Sequence, residues 1–502
     1  MNNVLDYLEL QGSRLPKKKA AICENDGITY EDLINFSKRV GSAVSLESDN
    51  NSPIIVFMDK GIDALIAFFG SCYAGHPYSV VNPELPEVRI KDIANALDSN
   101  IVITDNNYYE KAKNNFKNKK VFLIDDLKKS SLNEEKLSDI RRKVIDLDPL
   151  YINFTSGSTG IPKGVVISQR SVIDFITHFT KLFKIIDNDI IGNQAPFDFD
   201  VSVKDIYSSI FTGATLVIIP KSYFSRPADL IDYIIEKDVS TLIWAVSALC
   251  LLTTFHALDY KVPTNINKVI FSGEVMPLKH LNKWLEKLPQ TEFINVYGPT
   301  EITCNCTYHK IDRKRNYEDG IPIGEVFPNE RVQILDENLQ EIKDIHKKGT
   351  IYVSGACLSL GYFGDVEKTN KNFIINPHNS KYKEIIYNTG DLAEYNKNYE
   401  LMFRGRADFQ VKYQGHRIEL EEIERAMMKI PEIVRVCVIF LEEKSRLIGF
   451  YVGDIDKKEL HERLKEILPV FMIPGKLIQK EEFISNKNGK IDRKILIKEV
   501  GG

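Results

Sequence analysis

The sequence predicts an α/β fold built on parallel sheets, and three observations support this prediction. An apolar strand at residues 53–58 is followed by a helical run at 62–73 and a second strand at 78–82, an order typical of a parallel sheet. The same alternation recurs at 240–247 and 268–274, two continuous apolar runs of the kind found in buried parallel strands. Hydrophobic residues make up 43% of the 502 residues and charged residues 27%, as in ordinary globular enzymes.

The other elements follow from apolar periodicity along the chain. Residues 28–33 lead into an amphipathic helix that extends to about residue 45, and Val201–Ile210 is a predicted helix. The last hundred residues alternate helix and strand; the predicted helices are 420–429 and 457–467, and the predicted strands are 433–440 and 447–452.

Glycines 405 and 415 bracket a short polar segment where backbone rotation meets little obstruction, which favours a domain boundary there.

Charge and hydropathy exclude several classes of function. The net charge of -4 predicts no surface for nucleic acid. No run approaches the roughly 18 apolar residues of a membrane span, and the N-terminus lacks a basic segment followed by an apolar core. We therefore expect a cytoplasmic protein without a membrane span, and we expect it to be a monomer.

A strand-like run at 151–154 leads into a segment that predicts a phosphate-binding loop. The segment supplies hydroxyls, glycines and one ammonium, which suit phosphate oxygens; its residues are Thr155, Ser156, Gly157, Ser158, Thr159, Gly160 and Lys163. It is not a Walker loop, because Pro162 and Gly164 occupy positions that would need Gly and Ser or Thr. A plain turn between two strands is the alternative interpretation.

Two further segments combine turns with polar side chains. Asp200 stands ahead of the predicted helix, where it either caps the helix N-terminus or faces a cavity and neutralises a substrate ammonium. The segment 293–303 carries Tyr297-Gly-Pro299, which is either a simple turn or the source of a stacking ring, an amide, a hydroxyl and a carboxylate for a nucleotide with Mg²⁺. Ser272 ends a predicted strand, and ligands of such folds bind beyond strand ends.

Together these motifs resemble those of the adenylate-forming superfamily, which includes acyl-CoA synthetases, luciferases and the amino-acid adenylation domains of peptide synthetases. The likeness extends from about residue 10 to the chain end and includes the loop at 155–163, Phe199-Asp-Val-Ser202, Tyr297-Gly-Pro-Thr-Glu301, Thr389-Gly-Asp391, the run 403–424 and Asn486-Lys-Asn-Gly-Lys490. Among stand-alone members it is closest to amino-acid adenylation enzymes and D-alanine:carrier-protein ligases.

The resemblance implies ATP and Mg²⁺ as cofactors and assigns roles to individual residues. The implied catalytic residues are Thr155, Lys163, Glu301 and Lys490, and Glu301 is also the implied metal ligand. The implied nucleotide-binding residues are the loop residues together with Asn295, Val296, Tyr297, Gly298, Thr300, Asp391, Arg406 and Lys490. Within this set Tyr297 stacks on adenine, Asp391 binds the ribose, and Lys490 bridges the substrate carboxylate and the α-phosphate.

The phenylalanine-aspartate motif implies an amino-acid substrate, because in amino-acid activators its aspartate holds the α-amino group. The implied pocket residues are Asp200, Val201, Lys204, Trp244, Ile270, Ser272, Val296, Cys304 and Asn305. Trp244 would fill much of the pocket and favour a small side chain, whereas Lys204 would either pair with an acidic one or extend to solvent. The sequence therefore predicts an amino acid that is small or acidic.

The resemblance also implies a domain division and a two-step reaction. A large α/β part with stacked sheets, 1–407, would hold ATP and substrate, and a small mobile α+β domain, 408–502, would rotate about Asp408 between adenylation and thiol transfer. Too few residues follow Lys494 for a carrier domain, so the expected acceptor is the phosphopantetheine thiol of a separate carrier protein. Coenzyme A is the alternative acceptor, and a non-catalytic nucleotide-binding relative is a further alternative.

Overall fold

A computed structural model describes residues 2–47, 52–157, 162–407, 410–441, 444–484, 491 and 493–501. The chain forms two compact units. The first unit comprises Met1–Pro83, Ala96–Asn153 and Gly164–Ala407, and the second comprises Glu84–Asn95, Phe154–Lys163 and Asp408–Gly502. The predicted hinge, Asp408, lies outside the described residues, and the division at residue 407 stays a prediction.

The helices fall close to the runs with helical periodicity. In chain order they are α1 (Val4–Arg14), α2 (Tyr30–Val44), α3 (Ile62–Tyr73), α4 (Glu87–Leu97), α5 (Tyr109–Asn115), α6 (Ile124–Leu127), α7 (Glu134–Lys143), α8 (Gln169–Leu182), α9 (Val201–Thr212), α10 (Pro227–Glu236), α11 (Val246–Thr254), α12 (Ala257–Tyr260), α13 (Leu278–Lys287), α14 (Val366–Asn372), α15 (Leu420–Met428), α16 (Lys457–Ile467) and α17 (Arg493–Gly501). Short 3-10 helices lie at Lys221–Ser225, Thr300–Ile302 and Val470–Met472.

Within the described residues, the strands form five sheets. In chain order they are β1 (Lys19–Cys23), β2 (Asp26–Thr29), β3 (Ile54–Phe57), β4 (Tyr78–Val80), β5 (Ile101–Thr104), β6 (Lys120–Leu123), β7 (Pro149–Thr155), β8 (Lys163–Ser168), β9 (Ile190–Asn193), β10 (Thr215–Ile218), β11 (Thr241–Ala245), β12 (Lys268–Ser272), β13 (Glu292–Tyr297), β14 (Thr307–Lys310), β15 (Glu325–Val326), β16 (Glu330–Leu335), β17 (Gly349–Gly355), β18 (Phe373–Ile375), β19 (Ile385–Tyr395), β20 (Leu401–Arg406), β21 (Gln410–Tyr413), β22 (His416–Glu419), β23 (Ile433–Leu441), β24 (Arg446–Gly453) and β25 (Lys476–Gln479).

The nine-stranded sheet positions most of the predicted site. Its strand order is β15-β14-β13-β12-β11-β9-β10-β1-β2. The six strands from β13 to β1 in that order pair in parallel, and the strands at both ends are antiparallel. Strands buried on both faces carry apolar residues throughout, which is why the run at β11 shows no alternation of apolar and polar residues.

A six-stranded sheet, ordered β6-β5-β3-β4-β7-β8, contributes to the same core as the nine-stranded sheet. This central core contains Ile54 and Ile103 from the smaller sheet and Ile243 and Ile270 from the larger one, together with the buried faces of α2, α3, α8 and α9. Two sheets with helices between them bury a continuous apolar volume. The predicted α/β class with stacked sheets is confirmed.

The opposite face of the nine-stranded sheet packs into a second core with α10, α11 and α13. Neighbouring residues of one strand point to opposite faces. Thus Ile243 belongs to the central core, whereas Leu242 and Trp244 belong to the second core.

Besides the two-stranded sheet of β21 and β22, two smaller sheets complete the architecture of the described residues. In the first unit, β16 to β20 form an antiparallel sheet with β19 at its centre. In the second unit, the antiparallel pair β23 and β24 is joined in parallel by β25 and packs on α15 and α16. Within the described parts of the chain, no helix is long and apolar enough to cross a membrane.

Candidate active site

Parallel strands of the nine-stranded sheet end together where several predicted site residues lie. β12 ends at Ser272 and β13 ends at Tyr297, and the two strands pair in parallel. Ligands of open α/β sheets bind beyond the carboxyl ends of the strands. Ser272 and Tyr297 therefore stand at the edge of the sheet where a ligand is expected.

Asp200 lies immediately before α9 and accepts a hydrogen bond from the 3-10 helix after β13. The Thr300 hydroxyl donates to Oδ2 of Asp200 at 2.6 Å, and the Cys304 thiol donates to the backbone oxygen of Asp200 at 3.2 Å. The Asp200 side chain makes no capping hydrogen bond to its helix. The capping interpretation is therefore wrong, and the carboxylate is engaged by the turn that carries Thr300.

Lys204 lies one helical turn beyond Asp200, and its side chain is buried. Its Nζ atom donates to Oγ of Ser272 and to Oδ1 of Asn305, both at 3.0 Å, and only 1% of the residue is exposed. The alternative that this lysine extends to solvent is wrong. These two hydrogen bonds bring three predicted pocket residues into contact.

Four of the other predicted pocket residues are buried. Val201 is buried, and Ile270, Val296 and Cys304 are buried in the central core. Burial raises the pKa of the Cys304 thiol well above its ordinary value, and the nearby Asp200 carboxylate adds to this shift while Lys204 opposes it. The thiol is therefore protonated at neutral pH, as its hydrogen bond to the Asp200 backbone requires.

Trp244 belongs to the second core, on the opposite face of the sheet from Ile270 and Val296. Its indole N–H donates to the backbone oxygen of Gly192 at 2.7 Å, and its ring packs edge-on against Phe224 with the ring centroids 5.6 Å apart. This placement does not support the predicted role of Trp244 in filling the pocket. The prediction of a small substrate side chain, which depended on Trp244, therefore has no support from this placement.

The turn after the 3-10 helix is strained and tightly packed. Thr303 and Cys304 have φ angles of 53° and 77°, a left-handed region that residues with bulky side chains rarely adopt. A Cβ atom added to Gly298 would lie 2.5 Å from the Cα atom of Asn305. A residue without a side chain is therefore required at 298 for the two parts of the turn to approach each other.

Glu301 is fully buried and is held by Tyr362. The Tyr362 hydroxyl donates to Oε1 of Glu301 at 2.8 Å, and the backbone N–H of Ser359 donates to the backbone oxygen of Glu301 at 2.9 Å. Tyr362 was not among the predicted site residues. The glycine-tyrosine pair at 361 and 362 was the only sequence signal that could have indicated it.

The predicted nucleotide residues Tyr297, Asp391 and Arg406 are brought into contact. The Tyr297 hydroxyl donates to Oδ2 of Asp391 at 2.5 Å, and the Arg406 guanidinium forms an ion pair with the same carboxylate. Asp391 and Arg406 face each other in the pairing of β19 with β20. Burial and the Asp391 carboxylate raise the pKa of Tyr297 well above its ordinary value, so its hydroxyl remains a donor. Asn295 donates its amide to the backbone oxygen of Pro322 at 2.9 Å.

The described part of the phosphate-binding loop lies in the second unit. The Ser156 hydroxyl donates to the backbone oxygen of Arg417 at 2.5 Å, and the Arg425 guanidinium donates to that of Gly157 at 3.4 Å. Lys163 begins β8 and is 9% exposed. The predicted residues Ser158, Thr159, Gly160 and Lys490 lie outside the described residues.

Each unit, taken by itself, carries groups that suit a nucleotide or a divalent cation. Oγ1 of Thr155 is buried and finds no hydrogen-bond partner within the described ranges, and such a hydroxyl is expected to be satisfied by a ligand. The described residues contain no group of three or more metal-ligating side chains, so a cation would rely on Glu301 and on oxygens of the nucleotide and water. Mg²⁺ in nucleotide sites is commonly held in this way.

A second lysine, Lys60, is half-buried and supports the segment that leads to Asp200; it was not among the predicted residues. Lys60 donates from Nζ to the backbone oxygen of Gln194 at 2.7 Å and to Oδ1 of Asn193 at 3.1 Å. The Asn193 amide in turn donates to Oδ2 of the fully buried Asp205 at 2.6 Å. Burial lowers the pKa of Lys60 to about 7 and raises the pKa of Asp205, while each of the two charges partly offsets the shift of the other.

Comparison with known proteins identifies the family. The profile of the family described as AMP-binding enzyme matches residues 8–363. A D-alanine–D-alanyl carrier protein ligase of Listeria innocua is 34% identical over 502 aligned positions, with 94% of each chain covered. The protein of the same name from Bacillus cytotoxicus is 32% identical, with 99% of each chain covered.

Solved structures show the same fold at lower identity. The Vibrio cholerae adenylation domain AlmE, solved with glycyl-adenosine-5'-phosphate, superposes with a TM-score of 0.85 at 20% identity over 99% of this chain and 97% of its own. PA1221, a protein with adenylation and carrier domains bound to a vinylsulfonamide inhibitor, also gives 0.85 at 20% identity, over 99% of this chain and 84% of its own.

The chain therefore belongs to the family of AMP-binding enzymes. It is an AMP-forming ligase of the amino-acid-activating class, and it uses ATP. The family resemblance seen in the sequence motifs and the predicted class of function are both confirmed. The alternative of a non-catalytic relative is therefore rejected.

Proposed function

We propose that this enzyme activates an amino acid as aminoacyl-AMP, with release of pyrophosphate, and then transfers the aminoacyl group to the phosphopantetheine thiol of a separate carrier protein. The relatives named above support the acceptor, because their names specify a carrier protein and this chain covers nearly their full length. Their names also make D-alanine one candidate substrate.

The hydrogen bond from Thr300 to Asp200 is the observation that carries this proposal. It joins the carboxylate assigned to the substrate ammonium to the residue that immediately precedes Glu301. An amino acid whose ammonium lies at Asp200 would therefore place its carboxylate beside the residues assigned to the phosphates. Holding two reactants in this way supplies much of the rate enhancement in reactions that join them.

In the first step, a carboxylate oxygen of the amino acid attacks the α-phosphorus of ATP. The bond between the α-phosphorus and its bridging oxygen breaks, and pyrophosphate leaves. Attack of one anion on another is slow unless positive charge offsets their repulsion, and we assign this task to Lys490 and Lys163. Mg²⁺, when bound through Glu301, would add positive charge at the phosphate oxygens.

The nucleoside end of ATP is assigned to the contact among Tyr297, Asp391 and Arg406. The two oxygens of the Asp391 carboxylate can accept hydrogen bonds from the ribose hydroxyls, and Arg406 holds that carboxylate in place. The Tyr297 ring would stack on adenine while its hydroxyl remains bound to Asp391.

In the second step, the carrier thiol loses its proton and attacks the carbonyl carbon of the mixed anhydride. The acyl–oxygen bond breaks, AMP leaves, and a thioester forms. We propose that the domain 408–502 rotates about Asp408 between the two steps, which withdraws Lys490 and admits the phosphopantetheine arm.

We also propose that the enzyme acts in the cytoplasm, which supplies its ATP, and that it is a monomer.

Pyrophosphate exchange tests the first step. L- and D-amino acids, hydroxy acids and aryl acids would be supplied with ATP and labelled pyrophosphate, using wild-type enzyme and Asp200→Asn. We expect exchange with an amino acid and its loss in Asp200→Asn, because the amide leaves the substrate ammonium without a counter-charge. If an acid without an amino group supported the fastest exchange, the role assigned to Asp200 would be wrong.

A second pair of measurements tests the lysine and the acceptor. Lys490→Ala should abolish exchange and leave the melting temperature unchanged, and it should still transfer a supplied aminoacyl-AMP to the thiol. Loading of a phosphopantetheinylated carrier protein should outpace formation of a CoA thioester under matched conditions. Faster formation of the CoA thioester would instead identify an acid:CoA ligase.

A further inference from the structure

Within the amino-acid adenylation proposed above, on which this inference rests, we propose that Lys60 is a positioning residue for the amino-acid substrate. Its ammonium gathers the backbone oxygens at the end of β9 and thereby fixes the segment that delivers Asp200 to the substrate ammonium. Because Lys60 acts through this backbone and through α9, its loss should weaken the binding of the amino acid and leave the binding of ATP unchanged.

The side chain of Lys60 reaches from one sheet to the other. Lys60 lies three residues after β3 of the six-stranded sheet, and its Nζ atom contacts the chain where β9 of the nine-stranded sheet ends. Nζ donates to the backbone oxygen of Gln194 at 2.7 Å and to Oδ1 of Asn193 at 3.1 Å. Longer hydrogen bonds, of 3.4 and 3.5 Å, join it to the backbone oxygens of Asn193 and Ala195.

The convergence of these oxygens marks a change in the direction of the chain. Backbone oxygens of successive residues point in alternating directions along a regular strand, so three successive oxygens face one atom only where the strand conformation has ended. The partial negative charges of the three carbonyl groups repel one another, and a cation with three N–H donors offsets this repulsion. The path of the chain beyond Asn193 therefore depends on the Lys60 ammonium.

This path leads directly to Asp200. Four residues separate Ala195 from Asp200, and one of them, Phe197, is buried in the central core. The backbone N–H of Phe199 donates to the backbone oxygen of Pro196 at 3.2 Å, which closes a turn just before Asp200. Because the segment is short and anchored along its length, a displacement at Ala195 would be transmitted to Asp200.

A second connection holds the helix that begins after Asp200. Asn193 accepts from Lys60 through Oδ1 and donates from its amide nitrogen to Oδ2 of Asp205 at 2.6 Å, and Asp205 is fully buried on α9. The same ammonium is thus connected to the residues before Asp200 by backbone contacts and to the helix after Asp200 through Asn193. Such placement of a binding group on both sides governs how well a reactant is held.

The surroundings of Lys60 make this support sensitive to pH. Burial lowers the pKa of Lys60 to about 7, and the interactions with Asp205 on α9 and with Cys23 at the end of β1 oppose the shift. Lys204, also on α9, acts on Asp205, whose pKa is raised by burial. The neutral amine has two N–H donors in place of three and no charge to attract carbonyl oxygens. Binding of the amino acid should therefore weaken as pH rises from about 6 to 8.

Separate KM values for the two substrates give the test. Pyrophosphate exchange would first identify an amino acid that the wild-type enzyme activates, and KM for that amino acid and for ATP would then be measured for wild type and Lys60→Met. The methionine side chain keeps nearly the same length and removes the charge and the donors. We expect the KM for the amino acid to rise on the order of tenfold and the KM for ATP to stay unchanged.

Lys18→Met is the matched control. Lys18 is also half-buried, and it donates to the backbone oxygens of Asp187 and of Gly213, which follows the far end of α9. Both variants should lower the melting temperature, because each leaves backbone oxygens without a donor, but Lys60→Met alone should change the ratio of the two KM values. If both variants or neither changed that ratio, Lys60 would have a purely structural role and the proposal would be wrong.

The pH dependence of the wild-type enzyme gives a test that needs no variant to fold. Its KM for the amino acid should rise as pH is raised from about 6 to 8 while its KM for ATP stays constant, and Lys60→Met should lack this dependence. A KM for the amino acid that is constant over this range would overturn the role of Lys60 while amino-acid adenylation stands. Absence of exchange with every amino acid would instead overturn the proposed function.

Discussion

The hydroxyl of Tyr362 donates a hydrogen bond to Oε1 of Glu301 at 2.8 Å, across 61 positions of the sequence. Both residues are buried. A buried carboxylate keeps its orientation only while its oxygens have partners. Tyr362 therefore fixes the direction of the side chain that we assign to the metal and the phosphates.

Tyr362→Phe should impair catalysis more than folding. Loss of the hydroxyl leaves a buried acceptor without its donor, which costs about 1–3 kcal/mol. We expect kcat for pyrophosphate exchange to fall by about tenfold and the Mg²⁺ concentration needed for half-maximal rate to rise. Tyr399→Phe, which alters a tyrosine that is 67% exposed, serves as the control. An unchanged Mg²⁺ requirement would contradict the link between Tyr362 and the metal.

Asp391→Asn should weaken ATP binding without changing amino-acid preference. The amide cannot neutralise Arg406, and it offers the ribose one acceptor oxygen in place of two. The KM for ATP should rise by tenfold or more in exchange assays, while the ranking of amino acids stays that of wild type. If the ranking of amino acids changed while the KM for ATP did not, the assignment of Asp391 to the ribose would be wrong.

Gly298→Ala should destabilise the turn at the end of β13. The new methyl group would lie 2.5 Å from Cα of Asn305 and 2.6 Å from the backbone oxygen of Cys304. Overpacking of this kind typically costs about 1–3 kcal/mol, so the melting temperature and exchange activity should both fall. Gly61→Ala is the control, because among the described residues no atom outside its chain neighbours lies within 4 Å of its added Cβ. Equal behaviour of the two variants would show that the turn relaxes freely.

The stability of the first unit should depend on the charge of Glu400 in acid. Its side chain accepts hydrogen bonds from Arg315, which lowers the pKa of Glu400 from 4.5 to about 2. A carboxyl whose pKa is depressed by folding contributes stability above its unfolded pKa and loses that contribution as pH falls through the folded value. The free energy of unfolding should therefore differ most between wild type and Glu400→Gln above pH 4.5.

Urea unfolding monitored at several pH values would measure this effect. The difference between wild type and Glu400→Gln should shrink as pH is lowered from about 4.5 toward 2. A difference that stays constant over this range would mean that the ion pair with Arg315 contributes nothing to stability.

Much of the fold could be predicted because its elements have clear periodicity. The predicted helices 62–73 and 457–467 have the bounds seen in the structure, and the strand predicted at 433–440 forms as Ile433–Leu441. Apolar spacing determines such elements locally. Long runs of one periodicity leave little freedom in where an element begins and ends.

The face on which a residue lies was harder to predict in strands that are apolar throughout. Residues 241–245 are buried on both sides, so nothing in their sequence shows that Ile243 points to the central core and Trp244 to the second core. The contacts of Tyr362 with Glu301 and of Lys60 with Gln194 join distant parts of the chain. Local sequence carries no information on such pairings, and only the tertiary structure reveals them.

The left-handed backbone at Thr303 and Cys304 bears on any effort to redesign the substrate preference of this enzyme. Side chains at these positions must tolerate an unfavourable backbone conformation before they can contribute to selectivity, so replacement by bulkier or branched residues carries a folding penalty that has nothing to do with the ligand. Ser272 lies on a regular strand, so substitutions there do not meet this backbone strain. Libraries that vary Ser272 and Lys204 should therefore yield more folded and active variants than libraries that vary Cys304.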